Sequence, residues 1–439
     1  MPSRPAFRGA AWIVLACLVV PMFASYYFDD MFSSISYLFD NPSLTALGWN
    51  QSDYGSYASA YSVLCVFGGL VVCGILLDKW GVRITGSVFV GMMAAGAGLV
   101  TWALLSGSAH ALSVAYTGGM LFGLGSEIAG TAVSRSIAKW FRGGPMALAM
   151  GLQLAIARLG TAFALVLSPR LVKESAGHVY TLAETARPAL LGMGLMALGL
   201  ILWAVFVALD ARGDRAGGVQ ESTSGKEEPF RFRDVLGVLG NRNFWLLGIL
   251  CVLFYSSIIA FKKFAGAILI PRFGIPAEAA GQMASILHFS TVVFAPLFGM
   301  LVDGKGKGTR WMILGAVLAL TAHLLLAFAP QGVPFWGYLA MVLLGFGYSL
   351  VPAALWPSVP KIVPDKVLGT TFALLYWIQN LGLLSFKVIA GKILAGASDG
   401  PLSAELMFTG LCVAALVTAL LFARSSARHP ELRLDAPNQ

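Results

Sequence analysis

The chain has 439 residues, of which 57% are hydrophobic and only 12% are charged, and its mean hydropathy is +0.77. A soluble protein of this size carries roughly 25% charged residues, so the composition excludes a soluble globular fold and predicts a protein surrounded by lipid. The five cysteines lie within apolar stretches and form no CxxC or Cys/His cluster. This pattern indicates buried thiols, with no disulfide framework and no metal site.

A helix that spans a bilayer needs about 20 mostly apolar residues. We predict twelve such spans, numbered in chain order: 9–31, 54–77, 84–106, 110–137, 144–169, 186–209, 243–271, 279–302, 311–329, 333–360, 367–394 and 403–423. The first span follows Arg4 and Arg8, as in a signal peptide, but it is longer than the apolar region of such a peptide. We therefore predict a retained first helix.

Lysines and arginines are shared unevenly between the two sides of the predicted membrane. Most of them lie at the two termini and in the loops after even-numbered spans, whereas the loops after odd-numbered spans hold few. The positive-inside rule then predicts a multi-pass protein of the cell (inner) membrane with both termini in the cytoplasm. Because topology accounts for the net charge of +9, a nucleic-acid partner is excluded.

The longest polar stretch lies after the sixth span, is rich in Gly and Ser, and is mixed in charge, as is typical of a linker. The predicted organisation is an N-terminal six-helix bundle at 1–209, a cytoplasmic linker at 210–241, a C-terminal six-helix bundle at 242–424 and a cytoplasmic tail at 425–439. A partly ordered tether is the favoured form of this linker, and a short interfacial helix that includes Phe230, Phe232 and Val235 is the alternative.

Two similar motifs follow the second and the eighth spans, which occupy matching places in the two halves. They read GILLDKWGVR at 74–83 and GMLVDGKGKGTR at 299–310. Each has a glycine that lets helices approach closely, a carboxylate four residues later that can charge the start of a neighbouring helix, and a basic turn that binds anionic lipid. This internal repeat indicates two related halves.

The first motif resembles motif A of the major facilitator superfamily, G-x-x-x-D-[RK]-x-G-[RK], and the second is a degenerate copy. With twelve spans and a central linker, the resemblance covers the whole chain. It implies an all-α membrane protein with twelve transmembrane helices in two pseudo-symmetric six-helix bundles, the major facilitator fold, working by alternating access. The motif residues are then expected to gate conformations without touching substrate: Gly74, Asp78, Arg83, Asp303 and Arg310.

Two opposite charges lie at similar depth inside consecutive spans. An ionisable side chain in a span costs about 2.5–3.5 kcal/mol on insertion scales and usually faces a cavity. Glu127 in span four and Arg158 in span five both lie about 20 Å from the cytoplasmic end of their helix. They predict a structural salt bridge or a site for a zwitterion or a coupled proton. Small neighbours such as Gly125 and Gly160 would leave room for a ligand.

A narrower resemblance covers spans four, five, ten and eleven. It is carried by GSE at 125–127, KWFRG at 139–143, GLQLAIARLG at 151–160, ALWP at 354–357, LGT at 368–370 and IQNLG at 378–382. These segments are similar to the lysosomal dipeptide uniporters of the superfamily and their bacterial relatives. The resemblance implies that Glu127 takes the amino group of a peptide and Arg158 its carboxylate, and these two groups are complementary to the ends of a zwitterion.

Three lysines in the C-terminal half do not belong to that pattern. Lys262 and Lys263 lie in span seven and Lys387 lies in span eleven. One interpretation is an anionic substrate held by Lys263 and Lys387. Another is an outer gate between Lys262 or Lys263 and the aspartates that end span one, Asp29 and Asp30, because spans one and seven occupy equivalent places. Snorkelling to the outer interface is the third.

Several polar and aromatic side chains remain as candidate cavity linings, with helix packing or an aromatic belt as the alternative. They are Gln153 in span five, and Trp356, Tyr376, Gln379 and Asn380 in spans ten and eleven. His288 in span eight is a candidate for proton coupling because histidine titrates near neutrality, although a single histidine on a helix face is more often simply hydrogen-bonded. Glu127 is the other candidate for this role.

The sequence favours a secondary active or facilitative transporter of a small zwitterion, such as a dipeptide or an amino-acid-like compound, acting as a symporter or a uniporter. The alternative is a proton-coupled transporter of organic anions (carboxylates). A receptor built on a transporter fold is less favoured. No nucleotide-binding loop, nucleophile–base pair or metal cluster is visible, so we expect neither an enzyme nor a cofactor. The expected partners are a small-molecule substrate, protons and the lipid bilayer, and the expected state is a monomer.

Overall fold

The computed structural model describes residues 5–142, 145–173, 177–215, 232–363, 367–396, 399–432 and 434–436. Fourteen α-helices make up most of this part of the chain: α1 (Pro5–Asp30), α2 (Gln51–Leu64), α3 (Leu70–Ser106), α4 (Ala111–Trp140), α5 (Met146–Leu171), α6 (Leu182–Arg215), α7 (Phe232–Leu239), α8 (Arg242–Lys263), α9 (Ala265–Phe273), α10 (Ala277–Lys305), α11 (Gly308–Phe328), α12 (Pro334–Ile362), α13 (Leu368–Gly396) and α14 (Gly400–Arg428). The five cysteines are buried free thiols.

Ten helical segments of the described residues are long and apolar enough to cross a membrane. The protein is therefore an all-helical, multi-pass membrane protein, as predicted. The predicted spans 54–77 and 110–137 are also helical but are not among these ten. The first is interrupted by a π-helical turn at Cys65–Gly69, in which Gly68 has a φ of +92°. The second is α4, which carries Glu127 and further charged residues toward its end.

Both copies of the repeated motif contain a turn with positive φ. Gly81 (φ +73°) breaks α3 between predicted spans two and three. Gly306 (φ +63°) and Lys307 (φ +59°) separate α10 from α11 at the matching place. Glycine adopts this left-handed region without the steric cost that a side chain brings. The glycine of the basic turn therefore has a backbone role in each copy.

Contacts divide the chain into two units, Met1–Phe32 with Ser43–Gly48 and Ala60–Gly225, and Ser33–Pro42 with Trp49–Ser59 and Lys226–Gln439. In the first unit α1 packs on α5 and α6, and α3 packs on α4 and α6. In the second unit α8 packs on α13 and α14, and α11 packs on α12 and α14. The same pairings therefore occur in each unit, in agreement with the internal repeat.

Several predicted boundaries change. Predicted span seven, 243–271, is two helices, because α8 ends at Lys263 and α9 begins at Ala265. Helix α6 runs to Arg215, past the predicted start of the linker at 210. The short helix near the end of the linker forms as α7 (Phe232–Leu239), while residues 216–231 of the predicted linker lie outside the described residues.

Candidate functional site

Two glycines on α4 set the environment of Glu127. A Cβ atom at Gly123 would collide with the carbonyl oxygen of Tyr61 on α2, and one at Gly125 would lie 2.6 Å from the backbone nitrogen of Met93 on α3. The glycines therefore let three helices approach closely just before Glu127. The expectation that Gly125 leaves room for a ligand is wrong, because the backbone of α3 occupies that space.

This close packing places a tyrosine beside the Glu127 carboxylate. The hydroxyl of Tyr61 donates to Glu127 Oε1 at 3.1 Å and lies 3.2 Å from Ser126 Oγ, within hydrogen-bond distance of that hydroxyl. The hydroxyls of Ser126 and Ser25 are 2.6 Å apart, which adds α1 to the group. Glu127 itself is half-buried. Tyr61 and Ser25 were not predicted as site residues, although each has a hydroxyl group inside a predicted span.

Arg158 lies in the middle of α5 and is half-buried. It is about 18 Å from the start of α5, and Glu127 is about 20 Å from the end of α4, at a rise of about 1.5 Å per residue. A Cβ atom at Gly160 would collide with the carbonyl oxygen of Phe23 on α1, so this glycine also serves close helix packing and does not form a ligand space. The Thr161 hydroxyl donates to Asp30 Oδ2 at 2.7 Å, which ties α5 to the end of α1.

The candidate linings of spans ten and eleven contain an aromatic cluster in the second unit. Trp356 Nε1 donates to the Tyr255 hydroxyl at 2.9 Å, and the Trp356 ring stacks on Tyr376 with centroids 5.0 Å apart. Asn380 is buried and donates to the Tyr376 carbonyl at 3.1 Å, and Gln379 is also buried. Tyr255 on α8 was not predicted. Gln153 lies on α5 in the first unit and is half-buried.

The three lysines of the second unit are all buried. Lys262 and Lys263 occupy the last turn of α8, where the partial negative charge of a helix C-terminus favours cations. The break after them leaves the Lys263 carbonyl outside the helix ladder, and the Tyr54 hydroxyl donates to it at 2.8 Å. Lys387 Nζ donates to the Ala58 carbonyl at 3.1 Å. The substrate and gate roles of these lysines stay predictions.

The remaining predicted proton and gate residues lie in separate surroundings. His288 is buried on α10, and its carbonyl accepts from the Thr291 hydroxyl at 2.8 Å. Asp30 is buried at the end of α1, whereas Asp29 is half-buried. Asp303 at the end of α10 and Arg310 at the start of α11 are exposed. The predicted roles of these residues in proton coupling and gating stay predictions.

The first motif copy joins a charge network at the predicted cytoplasmic side of the first unit. Arg83 Nη2 lies 2.9 Å from Asp214 Oδ2 and its Nε lies 3.5 Å from Asp210 Oδ2. Lys139 pairs with both aspartates, at 2.9 Å and 2.8 Å, and Trp140 Nε1 donates to Asp210 at 2.8 Å. This network braces α3 and α4 against α6. The aspartates were assigned to the linker, so their role was missed.

Gly74 and Asp78 of the same motif lie in α3, and the structure describes their place in the helix but not their surroundings. Their predicted gating roles stay predictions.

The described residues form a membrane protein of many spanning helices, with charged and hydroxyl side chains at mid-span, where such side chains mark pathways for solutes or ions. The chain matches the Major Facilitator Superfamily over residues 14–386 and belongs to that superfamily.

Known relatives and a solved structure agree with this placement. The chain is 32% identical to the Lysosomal dipeptide transporter MFSD1 of Bos taurus over 84% of this chain and 75% of that protein. It is 30% identical to the protein of the same name in Danio rerio over 97% of this chain and 89% of that protein. The crystal structure of the nucleoside transporter NupG has the same fold, with a TM-score of 0.69 at 15% identity, covering 94% of this chain and 98% of that chain.

Proposed function

We propose that this protein carries dipeptides, or zwitterions of similar size, across a membrane by alternating access. Two independent facts support the proposal. An acidic and a basic side chain lie at similar mid-helix depth in the first unit, and relatives at 32% and 30% identity are named dipeptide transporters. Uniport and proton symport are both compatible with this function.

Glu127 binds the peptide ammonium group in this proposal. A carboxylate can accept about four hydrogen bonds, so Glu127 can hold Tyr61 and an ammonium group together. The Tyr61 hydroxyl at 3.1 Å orients the carboxylate before substrate arrives, which lowers the ordering cost of binding. This hydrogen bond to a half-buried acid at mid-span is the observation that carries the proposal.

Arg158 binds the peptide carboxylate. A guanidinium group presents parallel N–H donors that match the two oxygens of a carboxylate, so it selects orientation as well as charge. A site with an acid on α4 and a guanidinium on α5 therefore favours substrates that carry both an amino and a carboxyl end.

Uptake by protein reconstituted in liposomes tests this assignment with blocked substrates. We expect a free dipeptide to be transported. An N-acetylated dipeptide lacks the ammonium group and a dipeptide amide lacks the carboxylate, so we expect both to be transported poorly. Glu127→Gln should remove the discrimination against N-acetylation, and an Arg187→Lys variant, at an exposed arginine near the start of α6, serves as the matched control. Equal transport of free and blocked dipeptides would exclude the proposed site.

The burial of Lys262, Lys263 and Lys387 in the second unit favours a second candidate, a proton-coupled transporter of carboxylates. This candidate requires Lys387→Ala to reduce uptake as much as Arg158→Ala does. Lys387 already donates to the Ala58 carbonyl, so we expect the smaller effect at Lys387, and equal losses would favour the organic-anion function.

A further inference from the structure

A second acid–base pair lies in the second unit, between two helices that contribute nothing to the site described above. His323 Nδ1 on α11 and Glu405 Oε2 on α14 are 2.9 Å apart, and their side chains are 0% and 2% exposed. Both residues fall within predicted spans 311–329 and 403–423, so the rule that selected Glu127 and Arg158 also applies to them. A buried ionisable pair at membrane depth is costly and marks a functional site by default.

Only part of the hydrogen-bonding capacity of the pair is used. Neither His323 Nε2 nor Glu405 Oε1 has a hydrogen-bond partner among the described residues. The rings of Phe261 and Phe408 pack on the imidazole, with centroid distances of 5.4 Å and 5.7 Å. A pair kept only for stability would be replaceable by apolar side chains of similar size, because buried ion pairs contribute little to net stability.

The pair can exist in two protonation states. With one proton, shared between Nδ1 and Oε2, it has a net negative charge, and the Arg272 guanidinium on α9 acts on Glu405 in favour of that state. With a second proton, on His323 Nε2 or Glu405 Oε1, the pair is neutral, and its apolar surroundings favour that state. Burial and the positive charge therefore oppose each other.

The charged groups on the helices of the pair and on the helices that pack against them are mostly basic, and of these the Arg272 guanidinium is the one that acts on Glu405. On the helices that pack against α11 and α14 they are Arg242, Lys262 and Lys263 on α8, Arg272 on α9, Lys361 on α12, and Lys387 and Lys392 on α13; α11 and α14 themselves carry Arg310, Arg424 and Arg428, and Asp399 precedes α14. The Cys412 thiol on α14 also interacts with Glu405.

The pair also lies beside the end of α8, and Arg272 on α9, which acts on Glu405, is bonded to the end of α11. Phe261, which packs on His323, directly precedes Lys262 and Lys263 in the last turn of α8. Arg272 donates to the carbonyls of Leu326 and Ala329 at the end of α11. A movement of α8 or α9 therefore changes the surroundings of the imidazole and of the carboxyl together.

We propose that His323 and Glu405 form a buried proton-binding site that takes up and releases one proton during the transport cycle. The proton comes from water when the helices around the pair open, and it returns to water on release. The inference goes beyond the proposed transport of dipeptides, because it identifies a coupled or regulatory ion and the residues that bind it, apart from Glu127 and His288.

Infrared difference spectra of the reconstituted protein between about pH 5 and pH 8, the range in which histidine titrates, test the site without any substrate. We expect the wild type to show a pH-dependent band of the Glu405 carboxyl group, either the carbonyl band of the protonated acid or a shift of the carboxylate stretch beside a protonated His323, and Glu405→Gln to lose it. Thr409→Val, one turn further along α14 at another buried polar side chain, is the matched control and should keep the band. An unchanged spectrum in Glu405→Gln would overturn the proposal.

Magnetic resonance of ring-labelled histidine provides a measurement on the wild type, should Glu405→Gln fail to fold. The chain has five histidines, so loss of one signal in His323→Gln assigns its resonance. That resonance should change between the same two pH values, because the second proton is bound on the ring or on the carboxyl group bonded to it, and a constant signal would contradict the proposal.

Uptake measured as a function of pH tests the link to transport. Glu405→Gln should lose the pH dependence that the wild type and Thr409→Val share. If the infrared band titrates but the variant keeps the wild-type pH profile, the pair binds a proton that transport does not use, and the role in the cycle is wrong. Because the spectra need no substrate, they are independent of whether the protein carries dipeptides.

Discussion

Each unit of the protein holds an acidic and a basic side chain within its spanning helices, and the two sets differ in accessibility. Glu127 and Arg158 are half-buried on separate helices, and a tyrosine hydroxyl orients the acid. His323 and Glu405 are fully buried and bonded directly to each other at 2.9 Å. In our proposals the first unit binds a solute with two charged ends and the second binds a proton.

The surroundings explain this difference. Around Glu127 and Arg158, glycines such as Gly123 and Gly160 bring helix backbones close without adding side chains. Around His323, aromatic rings fill the space and exclude water. A half-buried charge can exchange its partner for a solute, whereas a sealed pair has no room for a solute and exchanges a proton only when the helices around it open.

The largest expected effect is at Arg158. Arg158→Lys keeps the charge but loses the parallel pair of donors, and loss of one charged hydrogen bond is worth about 1.5–3 kcal/mol, or roughly ten- to a hundred-fold in affinity. Uptake of dipeptide into liposomes should fall by that factor at low substrate concentration, while the melting temperature of the protein stays unchanged. Normal uptake would reduce Glu127 and Arg158 to a structural pair and remove the contrast between the units.

Glu127→Gln should be selective. If the carboxylate binds an ammonium group, the variant loses zwitterions by roughly ten-fold or more but spares simple carboxylates, because one charged interaction of about 1.5–3 kcal/mol disappears. Competition of labelled dipeptide uptake by unlabelled carboxylates measures this difference. If the variant instead keeps exchange and loses pH-driven accumulation, Glu127 carries a proton, and the two pairs no longer have separate ligands.

Gly123→Ala tests whether the first site depends on close helix packing. The added methyl group collides with the Tyr61 carbonyl, and overpacking of this kind costs about 1–3 kcal/mol, so the melting temperature should fall. Gly151→Ala on α5 is the control, because a Cβ atom there meets nothing within 4 Å. Equal stability of the two variants would show that the crossing of α2 and α4 is looser than the structure has it.

Tyr61→Phe should have the smallest effect. It removes the hydrogen bond that orients Glu127, worth about 0.5–1.5 kcal/mol, and should weaken dipeptide affinity by roughly two- to ten-fold with the maximal rate largely retained. Concentration-dependent uptake separates the two quantities. A loss as large as that of Glu127→Gln would mean that Tyr61 contacts the substrate directly.

Much of the architecture and the two charged residues of the candidate site, Glu127 and Arg158, could be predicted from local sequence. The spans, the repeated glycine turns and the mid-span charges Glu127 and Arg158 are local properties, because the cost of placing a residue in lipid depends mainly on that residue and its depth. The division of span seven into two helices could not be predicted. Its break at Phe264 is compatible with the membrane because Tyr54, more than two hundred residues earlier, donates to the freed carbonyl of Lys263.

The sequence by itself determined that the chain spans a membrane many times, that its halves repeat, and that Glu127 and Arg158 lie at mid-depth. Only the tertiary structure decided which side chains meet: Tyr61 with Glu127, Arg83 with Asp214, and His323 with Glu405. The physical reason is that hydropathy is read one residue at a time, whereas a hydrogen bond across helices depends on the register and approach of two distant segments. Glycines at the crossings set that approach, which is why Gly123 and Gly160 lie where backbones touch and not where a ligand binds.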